Sequence, residues 1–434
     1  VISSWVQDSM QLARRRLREP TIGLVRRTLL AAAAVLAIAP AATASASTVL
    51  VLEGHRVVRE NDRFVPPISP GEAAAIRRFR PPLARAAGGP SVPAVLDALL
   101  ASGQMTQADH DDRLQTYNDA RAIRNLLKGG PAQEMTGQVN LLQGMAARGE
   151  LTVSRVPVLW RQLERNAEWW VNANGVPAYG TRIRFGSSRV LWQYFPGQGL
   201  QFHPLANFGR LDGLISNNYQ LNAEQFANEL MKLGAYRGDA LTWEYYFYFG
   251  GGSPPWTSGL SQGTALVALA EMFKRMGTPI YAELMRQAVR LFQLPPPTGV
   301  RVRTKRGATY LEYSFAPGLR IINGFLQAIT GLHDAADALN DPGARALYRA
   351  GDREARYELP KYDTGYWSRY DNTPGSLSAL NYHVLLRDFL VGLCRRTGAK
   401  PYCSTATKFT RYLKNGPPYP PPPPPKKGKK KPRP

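Results

Sequence analysis

The chain has 434 residues, 44% of them hydrophobic, with 55 Lys plus Arg against 32 Asp plus Glu and a formal net charge of +23. That length and apolar content exclude a miniature fold held by staples alone and leave room for two or three compact units. Two cysteines and five scattered histidines lack paired ligand spacing, which excludes a zinc cluster, and no metal site is expected.

The positive charge is uneven. Residues 1–27 carry six Arg against Asp8 and Glu19, the tail from Lys426 to Arg433 carries six cations, and +13 remains for the rest. A folded body of that charge attracts polyanions, whether nucleic acid, anionic lipid or acidic glycan.

In chain order, Arg26 and Arg27 precede the apolar run Leu29–Ala39, and Ala44-Ser45-Ala46 offers a small-residue cleavage site. Residues 1–46 therefore read as an export signal, and the mature chain as secreted or envelope-associated. Eleven apolar residues are too few to cross a bilayer comfortably. An extended segment is expected over 47–90 and a helical region over 91–185, where Val95, Leu96, Leu99 and Leu100, then Leu141, Leu142 and Met145, have helical spacing. Asn174-Gly175, Tyr179-Gly180 and Pro196-Gly197 punctuate a loop-rich crossover over 173–210, with Val190–Phe195 a candidate strand. Helical patterns return over 223–233, 260–276, 280–291, 321–339 and 378–396.

The expected fold is therefore mainly α, an α/α toroid or partial α/α barrel of helix hairpins with short β and loop insertions. A plain helical bundle is the alternative. The main domain is expected over 186–415, ahead of a Pro- and Lys-rich tail at 416–434 that reads as an extended solvated stalk able to associate with an anionic envelope. Cys394 and Cys403 fit either a short-loop disulfide or two free thiols.

Three segments are dense in aromatic, Gly and polar residues where helix cores should be aliphatic: 194–209, 243–263 and 309–382. Such loops suit a carbohydrate cleft, with flat rings against sugars and amides or carboxylates on hydroxyls. Gln201, His203, Trp256 and Gln262 are candidate substrate-binding residues from the first two.

The runs Pro254-Pro255-Trp256-Thr257-Ser258-Gly259-Leu260-Ser261-Gln262-Gly263, Leu311-Glu312-Tyr313, Ile322-Asn323-Gly324-Phe325, Tyr362-Asp363-Thr364-Gly365, Tyr370-Asp371 and Asn381-Tyr382-His383 together resemble the C-terminal catalytic domain of D-glucuronyl C5-epimerases in order and spacing. The resemblance covers roughly 190–415. It implies an α/α-barrel catalytic domain acting on an acidic, glucuronate-containing polysaccharide such as a heparosan-like glycan, not on nucleic acid. It further implies inversion at C5 between D-glucuronate and L-iduronate, without a cofactor. The absence of a Gly-rich dinucleotide fingerprint agrees in disfavouring a nicotinamide enzyme. A Ca²⁺ beside a loop and a homodimer are left open.

Removing a proton α to a carboxylate and returning one from the opposite face requires two groups across one carbon, with donors to stabilise an enolate-like intermediate. By the resemblance, Glu312 and Tyr382 are the facing catalytic pair and Tyr370 and Tyr313 support them. Asn323, Tyr362, Asp363, Arg369 and His383 join the substrate-binding set, His383 and Asp363 in orienting roles. Thr373 stands where relatives carry an Arg after the Tyr-Asp element, and Arg369, Arg320 or Arg387 are the candidate replacements. A uronate lyase makes the same intermediate. A glycoside hydrolase would pair Glu312 with Asp363 or Glu244, and a non-catalytic glycan binder is a further alternative.

Overall fold

The computed structural model describes residues 47–65, 88–173 and 175–417. The expected export signal and nearly all of the Pro- and Lys-rich tail lie outside these residues. Among the described residues no helix is long and apolar enough to cross a membrane.

The first strands, β1 (Ser47–Glu53) and β2 (Arg56–Asp62), form an antiparallel pair. Val49, Val51 and Leu52 of β1 are buried. Their partner lies far along the chain: β1 runs parallel to β3 (Arg182–Phe185), with Leu50 opposite Ile183. β4 (Trp192–Phe195) and β5 (Gly199–Phe202) complete a five-stranded sheet in the order β2-β1-β3-β4-β5. Strands on both sides of residue 185 thus share one sheet. Among the described residues between β2 and β3, four α-helices pack on one another, α1 (Val92–Ala101), α2 (Gln107–Leu126), α3 (Gly129–Ala147) and α4 (Val156–Asn172).

The rest is a mainly α array of helix hairpins. An inner row is formed by α5 (Pro204–Ser216), α7 (Gly259–Met276), α9 (Ile322–Leu339) and α11 (Leu380–Thr397), each packed on the next or previous member. An outer row of α6 (Gln220–Met231), α8 (Pro279–Val289), α10 (Pro342–Glu358) and α12 (Lys400–Asn415) packs on the inner helix that precedes each in the chain. This is a partial α/α barrel, as expected. Helices α5, α10 and α12 were not anticipated; α10 and α12 each bury one stripe under a polar face, a pattern that gives a weak apolar signal.

Two features set the geometry. Each inner helix reaches its outer partner through a connection of two or three residues, helped at Gly277, Asn340 and Gly398 by left-handed backbone with φ of 66°, 49° and 64°. The return connections are long. They collect at the N-terminal ends of the inner helices and carry the short pairs β6 (Ala235–Arg237) with β7 (Ala240–Thr242) and β8 (Arg301–Arg303) with β9 (Ala308–Tyr310). The second feature is the close approach of α7 and α9, where a Cβ on Gly263 would lie 2.5 Å from the Gln327 carbonyl oxygen and one on Gly331 2.3 Å from that of Gly263. Cys394 and Cys403 form a disulfide tying α11 to α12.

Candidate active site

The long return loops bring Glu312, Tyr313, Tyr370 and Tyr382 together. Glu312 follows β9 and precedes α9, and Tyr382 is on the first turn of α11. The segment after β9 is pinned to the start of α7: Gly259 N donates to the Leu311 carbonyl (2.8 Å), Ser314 N to the Thr257 carbonyl (3.0 Å) and Thr257 N to Ser314 Oγ (3.1 Å). The segment holding Tyr370 is pinned to the start of α9 by Ile322 N donating to the Tyr370 carbonyl (3.3 Å).

Within the cluster the Tyr313 hydroxyl donates to the Glu312 carboxylate, and the Tyr370 hydroxyl is bonded to Tyr382, whose ring centroid is 4.7 Å away. Burial, followed by the negative charge of Glu312, pushes both Tyr313 and Tyr370 well above the ordinary phenol range. Both are therefore neutral hydroxyls at physiological pH, able to donate. Glu312 lies over the first turn of α9, a position where the helix field favours negative charge. It fits there because residue 324 has no side chain, since a Cβ on Gly324 would be 2.6 Å from Glu312 Oε2 and 2.8 Å from its Cβ. The preceding Asn323 donates from Nδ2 to the Tyr382 carbonyl (3.3 Å), and its buried Oδ1 has no partner.

An aromatic wall backs the cluster. Tyr313 touches Phe249, Trp256 and Phe315, with centroids 5.6, 5.7 and 5.4 Å away. Trp256 stacks on Tyr245 at 4.1 Å and its indole N–H donates to the Phe247 carbonyl. It is buried behind Tyr313 and offers no open face, contrary to its expected sugar-stacking role. Beneath the wall, Glu244 accepts from Arg155 at 2.7 and 2.9 Å, from Arg237 and from the Tyr246 hydroxyl. Burial opposes its charge, but Arg237 and Arg155 hold the carboxyl below its ordinary value. Arg237 also donates to the Pro255 carbonyl (2.8 Å), so this buried network fixes the loop that carries Trp256. Glu244 is consumed there and cannot be the second carboxylate of a hydrolase.

Several expected substrate contacts are engaged with protein. His383 is fully buried and stacked on Trp367 at 3.8 Å; Ser368 Oγ lies 2.7 Å from Nδ1 and the Phe409 carbonyl 3.2 Å from Nε2, and burial lowers its pKa. It braces α11 against α12. Asp363 accepts from Gly365 N, the Tyr412 hydroxyl and Lys408, and so ties its loop to α12. Gln262 donates to the Leu241 and Ala288 carbonyls from inside α7. His203 caps α5 by accepting from Ala206 N, and burial, with Arg182, pushes its pKa down to about 3, so the ring is neutral. Gln201 is buried in β5 and donates to the Gln198 carbonyl. His383 and Asp363 thus hold the orienting positions expected of them, while Gln201, His203 and Gln262 bond to the framework, with Gln201 Oε1 and Gln262 Oε1 buried without a partner among the described residues.

Tyr362 donates to the Arg320 carbonyl (3.0 Å) and lines, with Arg320, Glu354 and Glu358, a cavity of about 240 Å³ behind the Leu311 segment. Of the candidate replacements for the missing Arg, Arg320 lies in that cavity and Arg387 pairs with Asp388 at 2.6 Å. Arg369, next to Tyr370, enters no ion pair among the described residues. Thr373 is exposed in a turn, its N–H on Asp371. The roles of Gly324, Phe249, Phe315 and the Glu244 network were missed from the sequence. The one available signal was a glycine in the first turn of a helix, where glycine is otherwise unfavourable.

Residues 237–411 match the family described as D-glucuronyl C5-epimerase C-terminus, and all four clustered residues fall inside that match. A D-glucuronyl C5-epimerase of Caenorhabditis elegans is 32% identical over 151 residues, 30% of this chain and 24% of the relative. An uncharacterized protein of Methanocaldococcus jannaschii is 27% identical over 169 residues, 37% of this chain and 54% of the relative. The chain thus spans about a quarter and about half the length of these curated relatives. A sugar epimerase from a ruminal bacterium aligns with TM-score 0.38 and 10% identity over 60% of this chain and 71% of its own. Cellobiose 2-epimerase from Bacillus thermoamylovorans B4167 aligns with TM-score 0.38 and 12% identity over 59% and 70%. Likeness at that score carries no argument.

Proposed function

We propose, from the premise that this chain belongs through residues 237–411 to the D-glucuronyl C5-epimerase C-terminal family, that it is a carbohydrate epimerase inverting C5 of D-glucuronate units in an acidic polysaccharide. The observation that supports this reading is the convergence of Glu312 with three tyrosines, two of them held as neutral donors.

In the proposed steps the Glu312 carboxylate takes the C5 proton, and the electron pair left on carbon delocalises into the uronate carboxylate. Once Glu312 has taken the proton and lost its charge, the neutral Tyr313 hydroxyl that had donated to it turns to that growing negative charge. Tyr382 then delivers its proton to C5 from the opposite face, inverting the centre, while Tyr370, bonded to Tyr382, stabilises the phenolate so formed. The proton on Glu312 returns to Tyr382 through Tyr370 or solvent, and the enzyme is reset. Only protons move between carbon and side chains, so these steps call for no nicotinamide or metal. Arg369 is the proposed partner of the uronate carboxylate in place of the family's Arg. Export from the cytoplasm is part of the same proposal.

The test is incubation with heparosan in heavy water. Deuterium at C5 together with L-iduronate in the product supports the reading. An unsaturated uronate absorbing in the ultraviolet would instead identify a lyase, in which the intermediate expels the 4-linked sugar.

A further inference from the structure

Along α10, Arg345, Arg349 and Arg353 recur every four residues and border a surface depression of about 330 Å³ with Asn340, Pro342 and Ala346. Four residues of helix rise about 6 Å, so the three guanidinium groups form a row about 12 Å long. The β8–β9 hairpin lies on the same helix: a Cβ on Gly307 would be 2.0 Å from the Ala350 carbonyl oxygen, and Arg353 donates to the Arg306 carbonyl (3.0 Å). The hairpin adds Arg303, Lys305 and Arg306, all exposed.

None of these six cations is in an ion pair among the described residues. The acids of α10 are engaged elsewhere, Asp352 with Arg356 and the Tyr402 hydroxyl, Glu354 with Thr304 and Glu358 with Lys361. Other arginines of the chain do have carboxylate partners, among them Arg184, Arg210, Arg275 and Arg396. The patch is therefore a concentrated, uncompensated positive field on an outer helix, and β9 leads from it to Glu312 in two residues.

We propose that this face is a second binding site for an acidic polysaccharide, holding a remote stretch of the polymer whose uronate occupies the catalytic cleft; it rests on the functional reading above. A row of guanidinium groups along one side of a helix suits a linear polyanion with regularly placed carboxylates. Single-stranded nucleic acid fits less well, because it needs free aromatic faces for stacking. The exposed aromatic here, Tyr357, is already covered by Arg306 at 3.7 Å and Lys361 at 4.3 Å.

The test measures binding of the full chain, carrying Glu312→Gln so that turnover plays no part, to long heparosan, to a heparosan tetrasaccharide and to DNA of equal charge. Combined Arg345→Ser, Arg349→Ser and Arg353→Ser substitutions should raise the Kd for the long polymer about tenfold and flatten its salt dependence, while the tetrasaccharide, which fills only the cleft, is unaffected. Arg349→Glu alone, which breaks no hydrogen bond, should act in the same direction, and lysine at all three positions should keep most of the affinity. Unchanged polymer affinity in the triple and Arg349→Glu variants would overturn the proposal, as would DNA binding tighter than heparosan and lost in parallel. Absence of C5 exchange in the unsubstituted chain would count against the epimerase reading and leave this binding result standing.

Discussion

Replacing Gly324 by Ala should damage catalysis through Glu312 alone. The added Cβ would sit 2.6 Å from Glu312 Oε2 and 2.8 Å from its Cβ, where real Cβ atoms do not approach within 3.0 Å. Restoring ordinary contact requires the carboxylate to move by roughly 0.8 Å, and a displacement near 1 Å in a reacting group costs on the order of a hundredfold in rate. The helix itself gains from the change, because Ala is favoured over Gly by about 1 kcal/mol, which offsets part of an overpacking cost of about 1–3 kcal/mol. Stability should therefore change little while kcat falls on the order of a hundredfold with KM nearly constant, the pattern of a group displaced from its transition-state position. Steady-state kinetics on heparosan beside thermal melts would read both. Wild-type kcat in a folded Gly324→Ala chain would refute the placement of Glu312 as the base.

Other perturbations have equally definite outcomes. Tyr382→Phe should lower formation of L-iduronate by about 10²–10⁴-fold while Glu312 still exchanges the C5 proton with retention, and binding of a uronate oligosaccharide should stay nearly intact, as measured by product configuration, deuterium content and calorimetry. Glu244→Gln should destabilise the fold by about 3–5 kcal/mol, because Arg155 and Arg237 are left buried without their counter-charge, and denaturant titration reads this directly. The raised phenols make stability fall at high pH: Tyr246 and Tyr313 stay protonated in the folded chain while their unfolded counterparts ionise. Their contribution is intact below pH ~10 and is lost as pH rises above it, at about 1.4 kcal/mol per pH unit for each such group. Urea midpoints between pH 9 and 11, each lower than the last, would report it. Cys394→Ser with Cys403→Ser should remove about 2–3 kcal/mol from a short closed loop and lower the melting temperature without altering the site.

The hairpin architecture was legible because α7, α9 and α11 carry strong apolar spacing and end on residues that tolerate left-handed backbone, Gly277, Asn340 and Gly398. The sheet was not. Ser47–Glu53 reads as extended, but the strand it runs beside begins at Arg182, and no local pattern announces a pairing over that distance. In the candidate site, ordered blocks of residues singled out Glu312, Tyr370 and Tyr382, which the fold brings together, while side-chain direction stayed hidden. Tyr382 and His383 are neighbours, yet successive helical residues point about 100° apart. Tyr382 joins the cluster and His383 packs into the core. The same holds for Gln262 and Asp363, whose polar atoms answer backbone and lysine groups that lie far away in sequence.

The epimerase reading meets its most direct test in the rate at which solvent deuterium enters C5 of heparosan, compared between the wild-type chain and Glu312→Gln. Exchange by the wild type into both the glucuronate and iduronate configurations, abolished in Glu312→Gln while the polymer still binds, is the predicted result. Exchange that persists in Glu312→Gln, or wild-type protein that binds heparosan and exchanges nothing, would contradict it.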